Sequence, residues 1–207
     1  FQDIENHWAK EEILKAYHGG LFQGVTGTKF VPEGKMDRAM FVTVLYRFAG
    51  SPAVESLETA FTDVDTARYY GAAVAWAVEQ GVTNGVSQTQ FAPHQAISRQ
   101  ELVTMLYRMA ESPAVEGKTP FTDVAEGSLY TEAVAWAYSN WIVKGMTATT
   151  FAPNASVTRE QLVTFLYRYA KLQGEDVTVT GELKGYTDTD KPVSYTHLRA
   201  HETTLHL

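Results

Sequence analysis

Apolar positions along this chain recur three or four residues apart in short bursts, and the bursts come in pairs. In the first member of a pair, Ile13, Ala16 and Tyr17 are matched by Val74, Ala77 and Val78. That spacing lines one stripe of an α-helix and predicts that the stripe is buried. The second member is longer. Phe41-Val42-Thr43-Val44-Leu45-Tyr46-Arg47 returns as Leu102-Val103-Thr104-Met105-Leu106-Tyr107-Arg108, and again as Leu162-Val163-Thr164-Phe165-Leu166-Tyr167-Arg168. Its start is well signalled. Ser98 and Thr158 are N-cap residues with Glu101 and Gln161 three positions on, the capping-box spacing, and Ile97/Leu102 and Val157/Leu162 are placed as hydrophobic staples. In the first copy Asp37 caps while Met36 and Phe41 staple. Met40 cannot return the bond, so that helix end is expected to be weaker by a fraction of ~1 kcal/mol.

The connectors repeat too. Phe1-Gln2-Asp3-Ile4 recurs as Phe61-Thr62-Asp63-Val64 and Phe121-Thr122-Asp123-Val124. Asp3, Asp63 and Asp123 are expected to cap the helices that follow. Gly24, Gly85 and Gly145 are expected to turn the chain at positive φ. Phe30-Val31-Pro32, Phe91-Ala92-Pro93 and Phe151-Ala152-Pro153 are expected to be extended, because proline biases the residue before it away from helix. Every piece is offset from its copy by 60 or 61 positions, so the chain is a threefold repeat. Two short helices cannot bury their apolar faces alone, whereas three pairs packed together can. The fold class read from this is all-α, three tandem helix-loop-helix repeats at 1–60, 61–120 and 121–172. Residues 173–207 read as a linker and then a tail. The tail matches nothing in the repeats and resembles translated adapter sequence, so His197 and His201, although spaced four apart, are given no function. It is expected to be poorly ordered, and the natural protein is expected to continue past residue 190 into an effector region.

Composition narrows the function classes. The 207 residues carry a net charge of −7 and are 44% hydrophobic, which suits a folded domain. An acidic balance without a basic stripe argues against nucleic acid as the main partner. No run of ~18 apolar residues could span a bilayer. There are no cysteines, which excludes disulfides, thiolate metal sites and a cysteine nucleophile. No Gly-rich phosphate loop, nucleophile elbow or His-Glu-x-x-His occurs, so the expectation is not an enzyme and no cofactor. Asp63-x-Asp65 and Asp188-x-Asp190 lack the rest of a calcium loop, and no metal site is assigned.

The opening Phe-x-Asp-Val/Ile, the glycine-closed turn, the Phe-x-Pro and the capped apolar helix, three times in register, together resemble the S-layer homology domain. The resemblance covers about 172 residues by the repeat count. It implies three repeats around a pseudo-threefold axis and non-covalent anchoring of a surface protein to the bacterial envelope. The implied partner is a pyruvylated secondary cell-wall polysaccharide, with neighbouring surface-layer subunits as possible further partners and the extracellular cell wall as the location. The family's Thr-Arg-Ala-Glu signature falls on Asp37-Arg38-Ala39-Met40, Ser98-Arg99-Gln100-Glu101 and Thr158-Arg159-Glu160-Gln161. Only the arginine is common to all three, and binding is most in doubt where it depends on Arg38.

Arg38, Arg99 and Arg159 are therefore the candidate glycan-binding residues, with Ser98 and Thr158 in support. A helix N-terminus gathers unpaired N–H groups that favour an anion, and a guanidinium adds a fork matched to a carboxylate. Arg47, Arg108 and Arg168 lie nine residues further on, about half a turn away, and are read as structural or solvated. Trp8, Tyr69 and Tyr130 begin the first helices. Trp8 and Tyr69 are weaker candidates for stacking on sugar, although packing between repeats is the plainer expectation. Trp76 and Trp136 are read as core. The competing functions are a helical protein–protein scaffold and the anchor region of a wall-active hydrolase.

Overall fold

The computed structural model describes residues 1–175. Within them the chain is all-α, as the apolar pattern predicts, with six helices and no strand. They are α1 (Lys10–His18), α2 (Arg38–Phe48), α3 (Gly71–Glu79), α4 (Arg99–Met109), α5 (Thr131–Ser139) and α6 (Arg159–Leu172). Most of the tail, with His197, His201, Asp188 and Asp190, lies outside the described residues.

The principal helix pairs run between repeats. α2 packs on α3, α4 on α5 and α6 back on α1, so each first helix leans on the second helix of the preceding unit and the last unit closes on the first. The same closure appears at the centre in the backbone. Met36 N–H donates to the Val157 carbonyl at 2.9 Å, Ile97 N–H to Met36 at 3.0 Å and Val157 N–H to Ile97 at 3.1 Å. These three residues are the N′ staple positions, all buried with Phe41, Leu102 and Leu162. The staples that set the entry of α2, α4 and α6 thus also tie the three units into one ring.

The caps form as the residue spacing predicts. Ser98 with Glu101 and Thr158 with Gln161 make complete capping boxes, while Asp37 accepts from Met40 N–H without a return bond. Trp76 and Trp136 are buried, each stacked obliquely on a tyrosine of the preceding helix, Tyr46 and Tyr107. Of the first-helix stripe, Ile13, Ala16, Val74 and Ala77 are buried, but Tyr17 and Val78 reach the surface.

Three connector expectations are corrected. Asp3, Asp63 and Asp123 do not cap a helix, which begins seven or eight residues later. Their two carboxylate oxygens instead accept the amides of Phe30 and Val31, Phe91 and Ala92, and Phe151 and Ala152, at 2.6–2.9 Å. The clamped residues are not extended. Val31, Ala92 and Ala152 have φ of 58°, 56° and 57°, a left-handed conformation that costs of order 1–3 kcal/mol away from glycine and that the paired amide bonds hold in place. Gly85 has positive φ, but Gly24 and Gly145 do not. Close approach is what all three share, since a Cβ at each would collide with the ring of Phe1, Phe61 or Phe121.

Candidate functional site at the seams between units

The three candidate arginines open α2, α4 and α6, yet none offers the open helix end expected of an anion site. Arg38 and Ala39 N–H donate to the carbonyls of Gln95 and Pro93, Arg99 and Gln100 N–H to Ala155 and Pro153, and Arg159 and Glu160 N–H to Gly34 and Pro32. The next amide in each helix goes to the cap side chain. The first three donors of every second helix are consumed by the neighbouring unit and the cap, so the sequence expectation of unpaired N–H groups is corrected.

The side chains cross the same seams. Arg38 Nε donates to the Phe91 carbonyl at 2.7 Å, Arg99 Nε to Phe151 at 2.8 Å and Arg159 Nε to Phe30 at 2.9 Å. Each guanidinium lies over the ring of that same phenylalanine, 4.8, 4.6 and 4.3 Å from its centroid. Arg38 is only 2% exposed and Arg99 3%, while Arg159 is partly open. Burial pulls all three guanidinium pKa values down. Opposing it are Glu101 at Arg38, and the clamp carboxylates Asp123 at Arg99 and Asp3 at Arg159. An arginine stays cationic throughout. Neither a solvated surface role nor a wholly free fork describes these residues. They lock unit to unit.

What remains of each fork differs. A guanidinium has five N–H donors, one on Nε and two on each terminal nitrogen. Arg99 gives a second bond from Nη2 to the Lys144 carbonyl at 2.8 Å, and Arg159 from Nη2 to Gln23 at 2.6 Å. In both, Nη1 has no hydrogen-bond partner among the described residues, so its donors remain for an incoming carboxylate. Arg38 differs: its Nη1 donates to Glu101 Oε1 at 2.7 Å, and its Nη2 is buried with no hydrogen bond.

The remaining candidates sit around these seams. Trp8 and Tyr69 are 65% and 59% exposed, which corrects the expectation that they pack between repeats. Leu129, which aligns with them, is 98% exposed, and it is Ala9, Tyr70 and Tyr130 that turn inward. A chain of contacts puts Trp8 beside the seam of Arg159. Trp8 lies 5.5 Å from His7, ring to ring, and His7 Nε2 stands 2.8 Å from Glu160 Oε2 in a close electrostatic contact. Tyr69 lies at the seam of Arg38: burial first and then the nearby Asp37 carboxylate raise its phenol pKa. Ser98 and Thr158 use their hydroxyls in the caps. Arg47 and Arg168 donate to the Leu21 and Ile142 carbonyls of their own units, in keeping with a structural reading. Asp63, half of the superficial calcium pair, has both oxygens taken by backbone amides.

The S-layer homology domain family matches the chain at residues 1–40, 60–103 and 120–163. The chain belongs to that family. Each matched stretch runs from the Phe-x-Asp segment into the second helix, and so includes every seam arginine. Similar proteins include the surface-layer 125 kDa protein of Lysinibacillus sphaericus, 35% identical over 63% of this chain and 11% of that protein. The cellulosome-anchoring protein of Acetivibrio thermocellus is 26% identical over 88% of this chain and 39% of that protein. The exoglucanase XynX of the same organism is 28% identical over 81% of this chain and 16% of that protein. The chain therefore spans well under half the length of these relatives. Its S-layer homology repeats are an anchoring, non-catalytic module, and the family places them at the cell surface in association with the cell wall.

Sequence reasoning found the arginines but not their partners. Phe91, Phe151 and Phe30 accept from residues 53, 52 and 129 positions away, and no local pattern announces such a pairing.

Proposed function

We propose that the module binds a pyruvylated secondary cell-wall polysaccharide at the seams between its units and so holds a surface protein on the wall. The observation that carries this reading is the unpartnered Nη1 of Arg99 and Arg159 beside two committed carbonyl bonds. A guanidinium fixed on its far edge is preorganised, so a carboxylate loses little of its binding energy to ordering the side chain. A pyruvate ketal presents one carboxylate on a rigid ring. Trp8 adds an exposed aromatic face close to Arg159, where a sugar ring could stack. The seam of Arg159 unites both features, whereas Leu129 stands in the aromatic position at the seam of Arg99. More than one seam engaging a repeating glycan would add avidity. The net charge of −7 offers a polyanion no long-range attraction, so salt should weaken binding only modestly.

The test is sedimentation with purified Gram-positive cell walls, intact or treated with mild acid to remove the ketal. Co-sedimentation with intact walls only, inhibited by soluble pyruvylated N-acetylmannosamine glycoside, is the expected result. Equal binding to both wall preparations would count against the glycan and favour docking to a protein. What lies beyond the repeats in the full-length protein, a wall-active hydrolase domain or other cargo, is read by sequencing the locus.

A further inference from the structure

Two of the seams have an exposed aromatic just before the first helix of the following unit, Trp8 at Arg159 and Tyr69 at Arg38, while Leu129 stands there at Arg99. The Arg99 seam has an aromatic of another origin. Arg99 Nη2 donates to the Lys144 carbonyl at 2.8 Å, and the loop that brings Lys144 there begins at Trp141. Trp141 is 73% exposed and has φ of 60°, where units 1 and 2 have Gly20 and Gly81 at 71° and 66°. Left-handed backbone suits glycine and strains a bulky side chain. Packing does not offset the strain, because the indole stands in solvent. Backbone strain that the fold itself does not use collects at binding sites.

We infer that Trp141 is a second glycan contact at the Arg99 seam, a flat face on which a pyranose ring stacks when the glycan's carboxylate lies at the guanidinium. The inference rests on the reading of that seam as a carboxylate site, and it adds a residue that lies outside the Thr-Arg-Ala-Glu signature. Placement supports it. Three steps of chain separate Trp141 from Lys144, so their α-carbons lie at most about 11 Å apart, and one short stretch of glycan can meet both ends of the loop. The composition of the loop favours a sugar over a protein partner. Ile142 and Val143 turn inward at 0% and 1% exposure, and the polar Asn140 and Lys144 flank the ring and the buried pair. Within 140–147 the large apolar side chains that are exposed are Trp141 and Met146 alone, too few for the apolar centre of a protein interface. A single amphipathic ring among polar groups matches the apolar face and hydroxyl rim of a sugar, and the exposed Lys144 adds a cation suited to an acidic glycan.

The experiment uses the whole chain and purified Gram-positive walls, intact or treated with mild acid, with the variants Trp141→Gly, Trp141→Leu and Trp141→Tyr. Glycine is the residue of units 1 and 2 at this place, so the unfolding midpoint of Trp141→Gly should not fall, and lost binding is then not lost folding. Trp141→Gly should raise the Kd for intact walls roughly tenfold. Trp141→Leu keeps the bulk and the strain but has no flat face, and should weaken binding as much. Trp141→Tyr restores a ring and should bind within about threefold of the unmodified chain. In NMR spectra recorded with polysaccharide released from the walls, the indole N–H of Trp141 should shift, while those of the buried Trp76 and Trp136 stay in place. Ketal-dependent wall binding that is unchanged in Trp141→Gly, or fully retained in Trp141→Leu, overturns the proposal and leaves the carboxylate reading intact. Equal sedimentation of the unmodified chain with intact and acid-treated walls overturns both.

Discussion

The seams of Arg38 and Arg99 are built alike and filled differently. In both, the first two amides of a helix enter carbonyls of the next unit, the guanidinium Nε caps the carbonyl of a clamped phenylalanine, and the plane of the group lies over that ring. At Arg99 the second bond goes to a backbone carbonyl, that of Lys144, whereas at Arg38 it goes to Glu101. Backbone hydrogen bonds hold the architecture and constrain residue identity little, so the repeat can diverge at side chains that the ring does not need. One carboxylate at one helix position then changes what the guanidinium holds without altering the fold.

The largest effect should come from removing a shared element. Arg99→Ala deletes a buried side chain, leaves the Phe151 and Lys144 carbonyls without donors and removes the stacked cation. The expected loss is about 3–5 kcal/mol, read from urea midpoints. Arg159→Ala should cost roughly half that, because its partly open seam admits water to the stranded Phe30 and Gln23 carbonyls. Equal losses would mean that the exposure difference between the seams has no energetic weight. The same numbers explain why alanine at these arginines is a poor probe of ligand binding: it perturbs the ring before it informs on the fork.

The clamp aspartates separate the part of this that is legible in sequence from the part that is not. Caps and staples are local, set by residues within five positions of one another, and each forms as its spacing predicts. The Asp3, Asp63 and Asp123 clamps reach 27–29 positions along the chain, and the arginine bonds reach into another unit. A pattern read along the chain identifies the residue but not its partner, so Asp3 looks like a cap and Arg99 like an open fork. Trp8 and Tyr69 fail differently. Their aromatic character suggested packing, but the small or inward residue beside each, Ala9 and Tyr70, takes the buried place.

The clamps also predict a pH dependence, second in size. Desolvation pushes the Asp3 and Asp123 carboxyls up. The amides of Phe30 and Val31, and of Phe151 and Ala152, together with each aspartate's own amide, outweigh it, and both pKa values settle below the usual carboxylate value. A folded pKa depressed below the unfolded value of about 3.9 means stability that is present above that pH and lost as pH falls through the folded pKa. Asp123 is exposed, so solvent screens its charge, and Asp123→Ala should cost about 1 kcal/mol at pH 7, mainly through its two lost amide bonds. The gap to the unmodified chain should narrow from about pH 4 downward. A gap that stays constant from pH 7 to pH 3 would show that the clamp acts through shape and not through its charge.

The smallest expected effect concerns the turn after the first helix, where the units again share a backbone and differ in one residue. Gly20 and Gly81 close that turn with φ of 71° and 66°, and at the same place unit 3 carries Trp141 with φ of 60°. A bulky residue in that region is a conformational outlier, costing of order 1–2 kcal/mol relative to glycine. Packing does not offset it by much, since Trp141 is 73% exposed. Its amide donates to the Tyr138 carbonyl at 3.0 Å, the bond that Gly20 and Gly81 make to Tyr17 and Val78, so the turn itself is the same in all three units. Trp141→Gly should raise stability by up to about 1 kcal/mol, part of the relief being lost to the greater freedom of glycine in the unfolded chain. Two measurements locate the reason for retaining the indole: thermal unfolding of the free module, and wall co-sedimentation of the same variant. Higher stability with weaker co-sedimentation would assign the exposed ring to contact with the wall. Higher stability with unchanged co-sedimentation would leave Trp141 as a strained residue that the other two units have avoided.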